Sequence, residues 1–287
     1  MSDAEKWYLE ALRIFRLEFG EGNDGEGKQF VADACAALGN VYACQGRLED
    51  SVRMHKEAVR VYRRASEGDN AGVAIQLSEL GTALCRQRRL DRAMKKLEEA
   101  YEMLRRLHRD DHDHVARALN NVAAVLRDQG KKAESLAMLE KALDISRRNL
   151  GPDHDDVATG LANVGSMYAE QGMFAEALAR LEEALSILRR NHPERNAQEG
   201  EILVGIGQVY LRQGKLEDAL GMSKKALRIL RKTLGPESIA AADAQTLISL
   251  VLSQQGKVDE AMEMYEGALA IQRRALGDEH KDVAETL

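Results

Sequence analysis

The chain has 287 residues, a formal net charge of −6 and 44% hydrophobic residues. That is ample apolar material for a large core, and the acidic balance weighs against nucleic acid or an anionic membrane as the main partner. No apolar run approaches the ~18 residues of a membrane span, the first residues lack a basic-then-apolar leader, and Cys35, Cys44 and Cys85, odd in number and without metal-ligand spacing, predict reduced thiols in a cytoplasmic protein.

Residues 4–19 (AEKWYLEALRIFRLEF) predict a helix whose Ala11-Leu12 and Ile14 match Ala142-Leu143 and Ile145. The spacing suggests the second helix of a half-repeat, with bulky aromatics such as Trp7 capping a stack. Residues 20–27 follow as a glycine-rich loop that contains a literal GxGxxG. A phosphate cradle needs a preceding strand and free N–H groups at a helix start. Here a helix precedes, and Glu21, Asp24 and Glu26 repel phosphate. Placing Gly25 at the turn glycine of a calcium loop puts Gly20, Gly22 and Val31 at ligand positions, so that alternative fails too. A plain loop is expected.

From residue 29 the sequence repeats every 42 residues. The clearest copy spans 155–196. Val157, Leu161, Val164 and Tyr168 mark one helical face, Gln171-Gly172 ends it, and Phe174, Ala177, Leu178, Leu181, Ala184, Leu185 and Leu188 mark a second helix. Steps of 42 from Ala184 meet Ala58, Ala100, Ala142, Ala226 and Ala268. Steps from Ala177 meet Ser51, Ala93, Ser135, Ala219 and Ala261, and steps from Gly165 meet Gly39, Gly81, Ala123, Gly207 and Ser249. Steps from Gly172 meet glycine everywhere except Arg88. Small residues are needed where helix backbones approach closely. One hairpin cannot bury its own apolar faces, so copies must stack. The expectation is an all-α, right-handed superhelical solenoid of stacked helix-turn-helix repeats. It forms a single repeat domain: a half-repeat and loop over 1–28, six hairpins over 29–280, and the start of a further repeat over 281–287. That last stretch has no partner helix or polar cap, which suggests a fragment with a poorly ordered end.

Leu161-x-x-Val164-Gly165-x-x-Tyr168, followed by Ala177, Leu181 and Ala184, resembles the tetratricopeptide repeat. The longer period, with Leu150-Gly151-Pro152-Asp153-His154 leading into Val157-Ala158, Ala118-Leu119-Asn120-Asn121 and Arg127-Asp128-Gln129-Gly130, is similar to kinesin light chain and nephrocystin-type repeats. The resemblance covers residues 31–287 and implies a helical adaptor that binds short acidic peptides beside an aromatic anchor. The long heptad segment through which that family joins its motor has no counterpart here.

Second helices end in basic pairs: Arg63-Arg64, Arg105-Arg106, Arg147-Arg148, Arg189-Arg190, Arg231-Lys232 and Arg273-Arg274. Without interleaved aromatics these complement helix dipoles better than they bind nucleic acid. His108, Asp110, Asp111, His112, Asp113 and His114 invite a metal, yet His112 stands 42 residues before His154. They are therefore expected to be repeat-loop residues, with nearby acids such as Asp155 and Asp156 capping the next helix. No catalytic constellation, cofactor site or metal site emerges.

The face of the first helices opposite their packing side remains as the binding surface. Its candidate groove residues are Asn40, Ser78, Arg86, Arg117, Asn120, Arg127, Ser166, Gln208 and Arg212. Small residues leave room for a peptide backbone, amide side chains pair with it, and arginines hold carboxylates. Asp128 and Glu170 partly offset the arginines, while Ala124 and Ala162 leave space for an anchor. The expected function is a non-catalytic scaffold that binds an extended, acidic segment of a partner protein in a concave groove. The uncapped C-terminus leaves end-to-end self-association as a second mode. The competing reading is the regulatory repeat region of a larger enzyme or signalling ATPase.

Overall fold

A computed structural model describes residues 3–19, 25–66, 68–108, 112–194 and 196–276. Among them every regular element is an α-helix. The chain divides into two compact units, Met1–Ile145 and Ser146–Leu287.

The first unit contains α1 (Asp3–Phe19), α2 (Gly25–Cys44), α3 (Leu48–Ala65), α4 (Ala71–Arg86), α5 (Leu90–His108), α6 (Asp113–Asp128) and α7 (Lys132–Leu150) as far as Ile145. The second contains the rest of α7, then α8 (Asp155–Glu170), α9 (Phe174–Asn191), α10 (Ala197–Arg212), α11 (Leu216–Thr233), α12 (Ile239–Gln254) and α13 (Val258–Leu276). From α4 onward each first helix starts 42 residues after the previous one, at Ala71, Asp113, Asp155, Ala197 and Ile239. Within each unit a second helix packs on its own first helix and on the next one. First helices also touch in sequence, α4 with α6 in the first unit and α8 with α10 and α10 with α12 in the second.

The small positions do what their spacing requires. Ala58, Ala100, Ala142, Ala184, Ala226 and Ala268 are all buried to within 1% of their surface. A Cβ added to Gly165 would lie 2.9 Å from Leu181 Cγ and 3.2 Å from the Ala177 carbonyl oxygen, so the hairpin closes only without a side chain there. Each hairpin turn is closed by a left-handed residue, as at Gly172 (φ 79°), with Met173 N–H donating to the Tyr168 carbonyl at 3.0 Å. Arg88 holds the same position with φ 60°, a conformation that costs a residue bearing a Cβ roughly 1–2 kcal/mol. Its guanidinium donates to Asp128 at 3.0 Å, which offsets part of that cost.

Two expectations need correction. The glycine-rich segment is not loop throughout, because α2 begins at Gly25 and takes in Gly27. Of the α1 aromatics expected to cap the stack, Phe15 packs on α2 while Trp7 does not. Leu12 is buried and Phe15 stacks on Phe30 with centroids 5.6 Å apart, but Trp7 is 76% exposed. What secures α1 is Glu5, which accepts from Arg47 at 2.8 Å and from Gln45 at 3.2 Å. The arginine holds that carboxyl below its usual range. Residues 281–287, expected to begin a further repeat, lie outside the described residues.

Candidate functional site

From α4 onward, the start of each first helix is capped by a side chain at the position just before it. Asn70 accepts from Gly72 N–H at 2.7 Å, Asn196 from Glu199 N–H at 2.8 Å, and Ser238 from Ala241 N–H at 3.3 Å. At the same place His112 Nδ1 accepts from His114 N–H at 3.2 Å, and His154 Nδ1 from Asp156 N–H at 3.1 Å. The histidines themselves are the caps, not the neighbouring acids. The rings of His108, His112 and His114 do gather, with centroids 4.2, 5.6 and 5.0 Å apart. The capping bond already occupies the His112 Nδ1 lone pair, and no three ligand side chains converge on a metal position among the described residues. Asp110 and Asp111 lie outside those residues.

Among the described residues, every basic pair that closes a second helix except Arg231-Lys232 has at least one member engaged locally. Arg63 pairs with Glu99, and Arg147 with Glu183 at 2.6 Å, each reaching the following second helix. Arg106 pairs with Asp69 at 2.6 Å and Arg190 with Asp153 at 2.5 Å; Arg274 pairs with Glu237. Arg189 holds the buried Glu199 at 2.9 Å. These arginines tie neighbouring elements together, which leaves them poorly placed to grip phosphates.

In the first unit, Asn40, Arg86, Arg117 and Arg127 are exposed, Asn120 is partly buried, and Ser78 is buried with 8% of its surface accessible. Arg86 is not a free cation, since its Nη1 donates to the Ala43 carbonyl at 3.0 Å and caps the end of α2. Asp128 is engaged as well, accepting from Arg88 at 3.0 Å and from the Cys85 thiol at 3.6 Å. Burial and this carboxylate push the Cys85 pKa up to about 11, so the thiol stays protonated near neutrality. Arg117, Asn120, Ala124 and Arg127 follow at intervals of three, four and three along α6, on one face about 15 Å long. Neither Arg117 nor Arg127 forms an ion pair among the described residues, and Asn120 Oδ1 has no hydrogen-bond partner. With Asp128 already paired, this face is more positive than the sequence suggested.

In the second unit, Ser166, Gln208 and Arg212 are exposed. Arg212 repeats the role of Arg86, donating to the Ala169 carbonyl at 3.1 Å. Beside Ser166 a cleft of about 210 Å³ opens between α8 and α10, with Leu181, Leu188 and Ile202 among its lining. The sequence carried a signal for it that went unused: Gly205 stands where Asn121 and Asn163 stand in the two preceding repeats.

The architecture in both units is that of a helical-repeat protein. The sequence profile of the tetratricopeptide repeat matches residues 33–106, 73–147, 114–190 and 198–274. These matches cover most of the chain, which therefore belongs to the tetratricopeptide repeat family. No curated protein matches it in sequence. Among solved structures it is similar to BtubC (BKLC) from P. vanneervenii, with a TM-score of 0.68, 20% identity, and coverage of 80% of this chain and 90% of that one. It is also similar to a Podosopora anserina protein with kinesin light chain-like, nearly identical repeats (TM-score 0.56, 19% identity, 72% and 98% covered). A third likeness is to the Rap conjugation gene regulator of plasmid pLS20 in complex with the Phr* peptide (TM-score 0.63, 14% identity, 99% and 77% covered). At these identities the likeness is one of fold.

Proposed function

We propose that the chain is a non-catalytic interaction scaffold that binds an extended, acidic segment of a partner protein along the first-helix face of its first unit. The observation behind this reading is the α6 face. Two exposed arginines without ion-pair partners among the described residues flank the exposed Ala124 and the partly buried Asn120. Guanidinium groups donate to carboxylates in bidentate pairs, and an asparagine amide can bond a peptide main chain. The Rap regulator of pLS20, which shares the fold, is seen with a peptide, and that likeness supports a peptide as the class of ligand. Of the groove residues first expected, Arg117, Asn120 and Arg127 are assigned to carboxylate and backbone recognition. Arg86 and Arg212 are assigned to helix capping. A link to a motor or its cargo has no support in the geometry.

The test is an anisotropy titration of a labelled acidic, aromatic-containing peptide against wild type and the Arg117→Glu, Arg127→Glu double variant. Wild-type affinity is expected to fall as salt rises, because exposed charge pairs are screened. The double variant is expected to lose about tenfold or more in affinity, ~1.4 kcal/mol, with helicity retained and only the small loss of stability that a negative charge in the last turn of α6 brings, about 0.3–1 kcal/mol. Superimposable curves for the two proteins would refute the assignment.

A further inference from the structure

The second unit offers a recognition element that the acidic-segment reading does not use. The cleft between α8 and α10 has a volume of about 210 Å³; for comparison, a cavity of roughly 150 Å³ holds a benzene ring. Its inner lining is apolar, from Leu181, Leu188 and Ile202, and its mouth is polar. Across the mouth Gln198 donates to Thr159 at 3.3 Å, a long exposed bond that a peptide amide could replace. The opening exists because residue 205 is glycine. A Cβ placed there would meet only Leu181 Cδ2 and Cδ1, at 3.6 and 3.7 Å, so the space is unfilled rather than required for helix approach.

Glu201 sets the charge of the lining. It is the one charged residue among those that line the cleft. Glu201 is exposed, partial burial raises its pKa, and it has no hydrogen bond or ion pair among the described residues. An unpaired carboxylate beside an apolar cleft favours a ligand that brings a cation to it and disfavours one that brings a second carboxylate. An apolar cavity beside such a carboxylate complements an apolar side chain adjacent to a basic one. We infer that this cleft is a specificity subsite for an extended protein segment, taking an aromatic or large aliphatic side chain into the Gly205 space while Glu201 pairs with a neighbouring lysine or arginine.

The inference rests on the scaffold reading but concerns different residues and the opposite ligand charge, so the two can fail separately. Short Ser/Ala peptides bearing Phe-Lys, Phe-Glu or Ala-Lys at their centre are titrated into the protein while the methyl signals of Leu181, Leu188 and Ile202 are followed by NMR. Phe-Lys is expected to shift these methyls and to bind about tenfold tighter than either control. Gly205→Asn places in the cleft the residue found at the two preceding repeat positions, and is expected to abolish those shifts without lowering the melting temperature. Glu201→Lys, which leaves the apolar lining of Leu181, Leu188 and Ile202 intact, is expected to reverse the preference toward Phe-Glu. Unmoved methyls in wild type, full binding by a folded Gly205→Asn, or an unchanged preference in Glu201→Lys would each overturn the subsite. Acidic-peptide binding through Arg117 and Arg127 would survive all three results.

Discussion

His55 makes an informative perturbation because the next three repeats carry leucine at its position. Its equivalents in the next three repeats, 42 residues apart, are Leu97, Leu139 and Leu181, followed by Ser223 and Tyr265, and its partner Gln76 is replaced by Ala118 in the next repeat. His55 is 1% exposed, its Nδ1 lies 3.0 Å from Gln76 Oε1, and a Cβ on Gly39 would meet its ring at 2.6 Å. Burial lowers its pKa below the ordinary 6.5, against a smaller opposing contribution from the Gln76 bond and the Glu79 charge. The folded state therefore holds the ring neutral, while the unfolded chain takes up a proton as pH falls through about 6.5. Stability is full above that value and is lost on acidification, with a slope of at most about 1.4 kcal/mol per pH unit for one proton. His55→Leu alone strands the buried Gln76 oxygen, and Gln76→Ala alone strands the ring nitrogen. Each is expected to cost about 1–3 kcal/mol at pH 7.5. The double variant recreates the Leu97 and Ala118 pair and should come close to wild type at that pH. Urea unfolding followed by circular dichroism at pH 7.5 and 5.5 measures all four proteins. A double variant that weakens on acidification as much as wild type, or that is less stable than both singles, would refute the reasoning.

Ala142→Leu forces three heavy atoms into a position that is 1% exposed and should cost about 1–3 kcal/mol, whereas Ala179→Leu on the exposed side of α9 should be near neutral; paired thermal melts decide it. Gly172→Ala adds a Cβ that meets nothing within 4 Å, so its whole cost is the left-handed backbone (φ 79°); denaturant midpoints should show a loss of about 1 kcal/mol. Arg86→Glu removes a donor from the Ala43 carbonyl and sets a negative charge at the end of α2, so it should lower stability by about 0.3–1 kcal/mol, while Arg117→Glu should not. Chelator or added zinc should leave the melting temperature unchanged, because His112 is used as a helix cap; a clear zinc-dependent rise, lost in His112→Ala, would reverse that assignment.

The repeat was legible because its constraints are local and periodic. A position that must be small, such as Ala184, shows itself six times over, one that must be left-handed, such as Gly172, five times as glycine, and prolines fell in the turns because they cannot continue a helix. The site was legible only in part. Arg86, Arg117 and Arg127 look alike on a helical face, yet one caps the preceding first helix and two do not. That choice depends on which carbonyl or carboxylate lies within reach some 43 residues away, which periodicity does not encode. Asp128 was weighed as an opposing charge because its pairing with Arg88 required the unusual turn at Arg88 to be known. His112 and His154 were treated as loop residues because histidine is an infrequent helix cap. Where departures from the repeat were visible, at His55 and Gly205, they marked features of the fold that the pattern alone would have missed.

The claim that a partner segment lies on the first-helix face is tested most directly by site-specific photocrosslinking. A benzophenone side chain is placed at Ala124, between Arg117 and Arg127 on α6, or at Ala179, exposed on α9. Each protein is irradiated with the labelled acidic peptide. The account predicts a crosslinked adduct from position 124, suppressed by excess unlabelled peptide and by the Arg117→Glu, Arg127→Glu changes, and none from position 179. Adducts at 179 alone, or equally at both positions, would contradict it.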